Sequence, residues 1–245
     1  MIANENRRFA VLIDADNAQA STIESILAEI ARYGTVTSKR CYGDWTKTNL
    51  SPWKTTLLKF AIQPMQQFGY TTGKNATDSA MIIDAMDLLF TGNFDGFCIV
   101  SSDSDFTRLA TRLRESGLEV LGFGRKTTPE PFRVACNKFT FTEILLNSSG
   151  EDSTTDSKPV SSIPTSSVTD STNDLQSLFK EAIESQKDDD GFASLADVGS
   201  YIQRIRPDFD SRTYGAKKLG DLMKKQKYVE FILRKDSHPF VRFMG

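Results

Sequence analysis

Aspartates recur at three points in the first half of the chain where the sequence pattern changes. Asp14 and Asp16 follow the apolar run FAVLI, Asp103 and Asp105 follow the apolar run FCIV, and Asp78 begins a helical pattern between them. Carboxylates held close together repel one another and are costly to desolvate, so a divalent cation is their natural compensation. Oxygen ligands without Cys or His favour Mg²⁺ or Mn²⁺ over zinc, and these ions support phosphodiester hydrolysis.

The segments that carry these aspartates follow an α/β pattern. Uninterrupted apolar runs such as residues 97–100 are typical of strands covered on both faces, and helical patterns separate successive runs. This alternation predicts a doubly wound parallel sheet. In such a sheet the functional crevice lies beyond the carboxyl ends of the strands. We therefore expect Asp14, Asp103 and Asp105 at one edge, faced by Asp78 at the start of a helix over residues 76–90.

Some of these acids also fit simpler roles. Asp103 could cap a helix and Asp105 could complement its dipole, and for that pair alone this interpretation is favoured. The convergence of three chain segments on one edge favours a metal site instead. Asp84 and Asp87 are predicted to lie on a polar helix face, and Asp44 is predicted to lie in a loop.

The composition divides the chain into two domains. Residues 147–173 are dominated by Ser, Thr, Asp and Pro and predict a flexible linker between domains at 1–146 and 174–245. The hydrophobic fraction of 39% and charged fraction of 25% are typical of globular proteins. Because the N-terminus lacks a signal-peptide pattern and no apolar run is long enough to cross a bilayer, we expect a cytoplasmic protein. The three cysteines are predicted to be reduced core thiols.

The second domain begins with an amphipathic helical pattern and ends in two short β-type runs. Three helices followed by a hairpin predict a winged-helix-like domain. From Arg204 onward the sequence contains eleven Lys or Arg and five Asp or Glu, whereas the whole chain carries a net charge of -2. A basic helical stretch is expected here, with a solvated helix face as the alternative to RNA binding. The predicted RNA contacts are Arg212, Tyr214, Lys217, Lys218, Lys224 and Lys225.

The first domain resembles the NYN family of PIN-like nucleases. The resemblance rests on VLIDADN at 11–17, GKNATDSAMIIDAMDLL at 73–89, VSSDSDFTRLATRLRESGLEVLGFG at 100–124 and ACNKFTF at 135–141. It implies a PIN-like sheet, Mg²⁺ or Mn²⁺ as cofactor and RNA as substrate. The catalytic acids and metal ligands that it implies are Asp14, Asp78, Asp103 and Asp105.

The resemblance also implies supporting residues. Asn17, Ser101 and Ser102 are expected to orient water or phosphate, and Asp16 supports the principal acids. Lys74 either pairs with a substrate phosphate or is a solvated loop lysine. The second domain resembles the OST-HTH or LOTUS module, chiefly in FDSRTYGAKKLGDLMKKQKYVEF at 209–231. This second resemblance implies that the domain binds RNA or a protein partner.

The leading hypothesis is therefore a metal-dependent endoribonuclease with a tethered RNA-binding module. One alternative is a haloacid dehalogenase-type phosphatase, because LIDADN places an aspartate directly after the first strand, where a nucleophile would lie. That family's lysine is missing in the expected order, since Lys74 precedes Ser101. The other alternative is a non-catalytic RNA-binding or regulatory adaptor. The sequence does not indicate an oligomeric state.

Overall fold

A computed structural model describes residues 7–68, 76–148, 168–234 and 238–244. The chain divides into two compact units, Met1–Glu151 and Asp152–Gly245. Lys74 and most of the predicted linker lie outside the described residues. The helix that opens the second unit begins at Val168, inside the range predicted as linker. The proposed boundary at residue 174 therefore lies within a helix.

A six-stranded parallel sheet forms the centre of the first unit, in the order β3-β2-β1-β4-β5-β6. Its strands are β1 (Arg8–Asp14), β2 (Thr35–Gly43), β3 (Gln63–Gln66), β4 (Gly96–Val100), β5 (Glu119–Gly124) and β6 (Lys138–Phe141). From β1 the chain proceeds outward to β2 and β3, then crosses back to β4 on the other side. The strand order thus reverses between β1 and β4, where a crevice opens at the carboxyl ends.

Helices cover both faces of this sheet, as the apolar strands require. They are α1 (Ile23–Ile30), α2 (Trp53–Lys59), α3 (Ala76–Phe90), α4 (Thr107–Glu115), α5 (Glu130–Ala135) and α6 (Thr142–Ser148). One core contains buried residues of α3, α4 and α5, including Met81, Leu109 and Phe132. The other contains residues of α1 and α2, including Ile26 and Trp53. The predicted doubly wound α/β architecture is confirmed.

The second unit packs three helices against a small antiparallel sheet. Its elements are α7 (Val168–Gln186), β7 (Ala193–Ser194), α8 (Leu195–Ile205), α9 (Leu219–Lys224), β8 (Val229–Leu233) and β9 (Pro239–Phe243). The sheet order is β7-β9-β8, so β7 adds a strand to the expected hairpin. Phe179, Val198, Ile202 and Met223 are buried in its core. The predicted combination of helices and a terminal hairpin is confirmed.

The basic stretch of the second unit is less helical than its sequence suggested. A 3₁₀ turn spans Ser211–Tyr214, and the α-helix begins only at Leu219. Gly215 ends the 3₁₀ turn with a left-handed backbone (φ 71°), a conformation that glycine adopts without steric cost. The predicted basic helical stretch is therefore divided into a 3₁₀ turn and a short α-helix. In both units, no helix within the described ranges has the length and apolarity needed to span a membrane.

Candidate functional site

Three chain segments meet at the carboxyl edge of the first sheet, where the strand order reverses. Asp14 is the last residue of β1, and Ser101 directly follows β4. Asp103 caps the 3₁₀ turn Ser104–Phe106 that leads into α4, and Asp78 lies in the first turn of α3. This placement follows from the alternation of strands and helices, because each strand of a parallel sheet delivers its next residues to the same edge.

Asp78, Asp103 and Asp105 form the tightest acidic cluster among the described residues. One carboxylate oxygen from each lies within 4.8 Å of the others. Asp78 is only 9% exposed, while Asp105 is open to solvent. Asp103 accepts a hydrogen bond from the backbone N–H of Asp105 at 2.9 Å, so it does cap the turn. The cap uses one carboxylate oxygen of Asp103, and Asp103 is at the same time a member of the three-residue acidic cluster.

The electrostatics of Asp78 show how much negative charge this edge concentrates. Burial and then the charges of Asp14, Asp103, Asp105 and Asp16 raise the pKa of Asp78 to about 6. Each of these effects disfavours the ionised carboxylate. A cation at this point would reverse the balance, because it would attract the same charges that now repel one another.

Asp14 lies apart from the three-residue cluster and is completely buried. Its Oδ1 accepts from the backbone N–H groups of Asp16 (3.1 Å) and Asn17 (3.3 Å). Its Oδ2 accepts from the Asn17 amide and the Ser101 hydroxyl, both at 2.8 Å. Burial raises the pKa of Asp14, and the bonds from Ser101 and Asn17 oppose that rise. Three of the four predicted ligands are thus brought together, with the fourth embedded in a hydrogen-bond network behind them.

The remaining first-domain predictions occupy defined positions around Asp14. Asp16 is exposed and accepts from the Thr77 hydroxyl at 3.3 Å. The Ser101 hydroxyl also accepts from the backbone N–H of Asp103 at 3.1 Å. Ser102 accepts from the backbone N–H of Arg125 at 2.9 Å. Asn17, Ser101 and Ser102 therefore organise the edge.

Two residues at this edge were not among the predicted site residues. Asp44 directly follows β2 and is 8% exposed, and its carboxylate accepts from the side chains of Thr46 (2.6 Å) and Gln66 (3.0 Å). Arg125 directly follows β5 and is exposed. The signal that identified Asp14, a polar residue immediately after a buried strand, would have found both.

Among the predicted RNA contacts of the second unit, Arg212 and Tyr214 are half-buried and contact neighbouring side chains. The Arg212 guanidinium donates to both carboxylate oxygens of Asp210, at 2.6 Å for the closest pair. Tyr214 stacks on Phe209 with ring centroids 5.8 Å apart. These contacts give both side chains a structural role.

The lysines of the same stretch are exposed instead. They are Lys217, Lys218, Lys224 and Lys225. Lys224 lies over the ring of Phe231 at 4.5 Å from its centroid, and Lys225 donates to the Gly215 carbonyl at 3.3 Å. The accessible positive charge of this surface therefore comes from lysine, which binds phosphate as a point charge.

The fold and the acidic edge together define a nuclease-like protein of the PIN-like α/β class. The profile of the NYN domain matches residues 8–146, and the chain belongs to the NYN family. An OST-HTH/LOTUS domain matches residues 170–240. NYN domains are nuclease-like and OST-HTH domains bind RNA, so the chain combines a nuclease-like domain with an RNA-binding one. The predicted domain architecture is confirmed.

Two solved structures are similar to parts of the chain. A protein of unknown function from Vibrio parahaemolyticus matches with a TM-score of 0.46 and 17% identity, covering 57% of this chain and 94% of its own. An uncharacterized protein from Nitrosomonas europaea matches with a TM-score of 0.28 and 27% identity, covering 38% and 90% respectively. No curated protein matches the chain.

The phosphatase alternative finds no support at this site. It requires Asp14 as an exposed nucleophile, but Asp14 is 0% exposed and both of its oxygens already accept hydrogen bonds. A carboxylate in that setting is oriented to hold its neighbours rather than to attack a substrate.

Proposed function

We propose that the protein is a divalent-metal-dependent ribonuclease that hydrolyses RNA phosphodiester bonds, with its second domain holding the RNA. The observation that carries this proposal is the cluster of Asp78, Asp103 and Asp105 at the switch point of an NYN domain, with oxygens within 4.8 Å of one another. Phosphate and acidic residues share such a site only when cations lie between them.

The donor set fits Mg²⁺ or Mn²⁺. All three clustered ligands are carboxylates, and hard divalent ions prefer oxygen while retaining waters and phosphate oxygens as further ligands. Asp78, Asp103 and Asp105 would hold the ion, and Asp14 adds negative charge from the buried side. When bound, such an ion supplies a nucleophilic water at neutral pH and stabilises the leaving oxygen.

Around this centre the chain's own residues fix the acids in place. Ser101 donates to Asp14 and accepts from the backbone N–H of Asp103, so one hydroxyl ties β1 to the turn that carries two of the acids. The Asn17 amide donates to the same Asp14 oxygen as Ser101 does. A site fixed in this way loses little entropy when substrate binds, which is the main protein contribution in phosphoryl chemistry.

The second domain would supply affinity for the RNA. Its exposed lysines Lys217, Lys218, Lys224 and Lys225 can bind the backbone phosphates of a single strand without reading its sequence. Tethering that domain to the acidic site raises the local concentration of RNA there. A cytoplasmic location and a protein partner of this domain remain predictions.

The test is cleavage of labelled RNA by the full chain with Mg²⁺ or Mn²⁺. The double variant Asp78→Asn and Asp103→Asn is expected to lose at least about 100-fold in rate, because it removes two ligand charges. Asp87→Asn is the control, since Asp87 is exposed on the same helix. Cleavage of a circular RNA would show that the activity is endonucleolytic.

Two results would contradict the proposal. Full activity in the double variant would place the chemistry elsewhere. A wild-type chain that binds RNA but cleaves none with either metal would favour the adaptor alternative.

A further inference from the structure

A small recess opens beside the acidic edge, between the turn after β1 and the ends of β4 and β5. Its polar lining comes from Asn17, Gln19, Thr22, Ser101, Ser102, Arg125 and Thr142. The enclosed space is about 10 Å³, roughly what one water molecule requires. The recess therefore admits a single oxygen atom of a larger group and excludes a nucleobase.

The chemistry of the lining is opposite to that of the neighbouring cluster. No Asp or Glu is among the lining residues that the structure describes, and Arg125 contributes a positive charge. The Arg125 guanidinium makes no hydrogen bond or ion pair with any residue within the described ranges. It is therefore available to an external anion at the mouth of the recess.

Hydroxyl and amide groups add donors to this charge. The Ser102 oxygen accepts from the backbone N–H of Arg125, which leaves the Ser102 hydroxyl hydrogen available to donate. Asn17 uses one amide hydrogen on Asp14 and retains the other. Donors around a one-oxygen space beside a free guanidinium are the features of an oxyanion site.

The backbone that forms one wall has little freedom to move. A Cβ at Gly124 would lie 2.6 Å from both the Ser101 carbonyl and the Thr128 hydroxyl. Together with the hydrogen bond from the Arg125 backbone N–H to Ser102, this close approach holds the backbone of Arg125 against the residues that directly follow β4. The recess is thus a preformed feature of the sheet edge.

We propose that this recess binds one non-bridging oxygen of an RNA phosphate, with Arg125 pairing to the same phosphate. The inference rests on the proposed function for the identity of the polymer. Ser101 lines the recess and also contacts Asp14 and Asp103, so the bound phosphate lies next to the acidic centre on the same strand edge. The recess then sets the register of the RNA relative to the bond at the acidic cluster.

The first experiment titrates the full chain with inorganic phosphate and follows backbone amides by NMR. We expect shifts at Ser102, Gly124 and Arg125. Arg125→Ala should raise the phosphate concentration at half-shift at least about tenfold, since a charge-assisted bond is lost. Lys126→Ala is the matched control, because Lys126 is exposed in the same loop but does not line the recess.

The second experiment uses ten-nucleotide RNAs bearing either a 5′-phosphate or a 5′-hydroxyl, without divalent metal. Shifts of the same amides with both RNAs identify an internal phosphate, and shifts with the phosphorylated RNA alone identify a terminal one. The proposal is overturned if neither RNA nor phosphate moves these amides, or if Arg125→Ala behaves like Lys126→Ala. Because no metal is present, the outcome is independent of whether the chain cleaves RNA.

Discussion

At the scale of single residues, the acids of the edge divide into two kinds. Asp14 is buried and its oxygens accept four hydrogen bonds, so its environment is complete without a cation. Asp78 is held near four other acids, and its pKa is raised by burial and by their repulsion. The unfavourable repulsion is therefore concentrated at Asp78, so the titration of its carboxyl group reports the negative charge of the acidic edge.

Asp78→Asn is expected to stabilise the metal-free first domain at pH 7.5 by up to about 3 kcal/mol. The folded pKa of Asp78, about 6, lies above the ordinary value of 3.8. Below pH 3.8 the group is neutral in both states and costs nothing, whereas above pH 6 the folded state carries the full cost of its charge. The extra stability of Asp78→Asn over the unmodified chain should therefore develop between pH 4 and 6 and be absent below pH 4. Urea unfolding followed by tryptophan fluorescence measures it, since Trp45 and Trp53 both lie in the first domain.

Metal supplies the control for this prediction. With saturating Mg²⁺ the unmodified chain should gain stability by binding the ion, and Asp78→Asn should lose that gain. If Asp78→Asn destabilises the first domain in metal-free buffer at pH 7.5, the prediction is wrong. Asp78 would then make a net stabilising contact that outweighs the repulsion from its neighbours.

At the scale of elements, helix α3 must be held in register for Asp78 to face the turn before α4. Asp84 does this two turns further along: it accepts from the Arg40 guanidinium and the Tyr42 hydroxyl, both on β2. The sequence placed Asp84 on a polar helix face, and the structure places it against the sheet. Tyr42 is almost fully buried, so its hydroxyl depends on this partner.

Asp84→Ala is expected to cost about 1 to 3 kcal/mol in the free energy of unfolding of the first domain. The change leaves the buried Tyr42 hydroxyl without its acceptor and the half-buried Arg40 without its counter-charge. Asp87→Ala, on the exposed side of the same helix, should change stability by less than about 0.5 kcal/mol. Urea unfolding of both variants measures these changes in the free energy of unfolding. Equal changes in the two variants would mean that the Asp84 contacts do not anchor α3.

At the scale of the whole molecule, two units of different chemistry share one chain. The first concentrates negative charge at a sheet edge, and the second exposes lysines around α9. A polyanion is repelled by the first unit except where a cation or the Arg125 recess intervenes, so initial capture belongs to the second. In the proposed function, the lysines of the second unit bind the RNA and the carboxylates of the first unit serve its hydrolysis.

Changing Lys217, Lys218, Lys224 and Lys225 together to Gln is expected to weaken RNA binding by the full chain and reduce its salt dependence. The slope of log affinity against log salt should fall by up to about 3 for a single strand, because up to four phosphate contacts are lost. Fluorescence anisotropy over a range of salt concentrations measures this slope.

The matched control for this surface is Lys180→Gln with Lys187→Gln, two exposed positions of the same unit, the first on α7 and the second directly after it. These should leave the slope almost unchanged. A quadruple variant with unaltered slope and affinity would show that the RNA contacts lie elsewhere, and the structural roles of Arg212 and Tyr214 would then need testing by substitution.

The sequence by itself determined the layered α/β fold, the helix over residues 76–90 and the delivery of Asp14, Asp78, Asp103 and Asp105 to one edge. These features depend on apolar periodicity and on the direction of strands, which are properties of consecutive residues. The three buried cysteines followed from the same apolar pattern. The start of α7 did not, because its first turn is as polar as the predicted linker before it.

Only the tertiary structure decided which polar groups become partners. It separated Asp14 from the cluster of three, paired Asp84 with Arg40 and Tyr42, and brought the loop after β5 to Ser102. Such contacts join residues far apart in sequence, and they depend on strand register and helix packing rather than on local pattern. The acidic edge could therefore be predicted from the sequence. The recess beside it could not, because it is formed by residues at or after the ends of several strands and depends on how those strands pair.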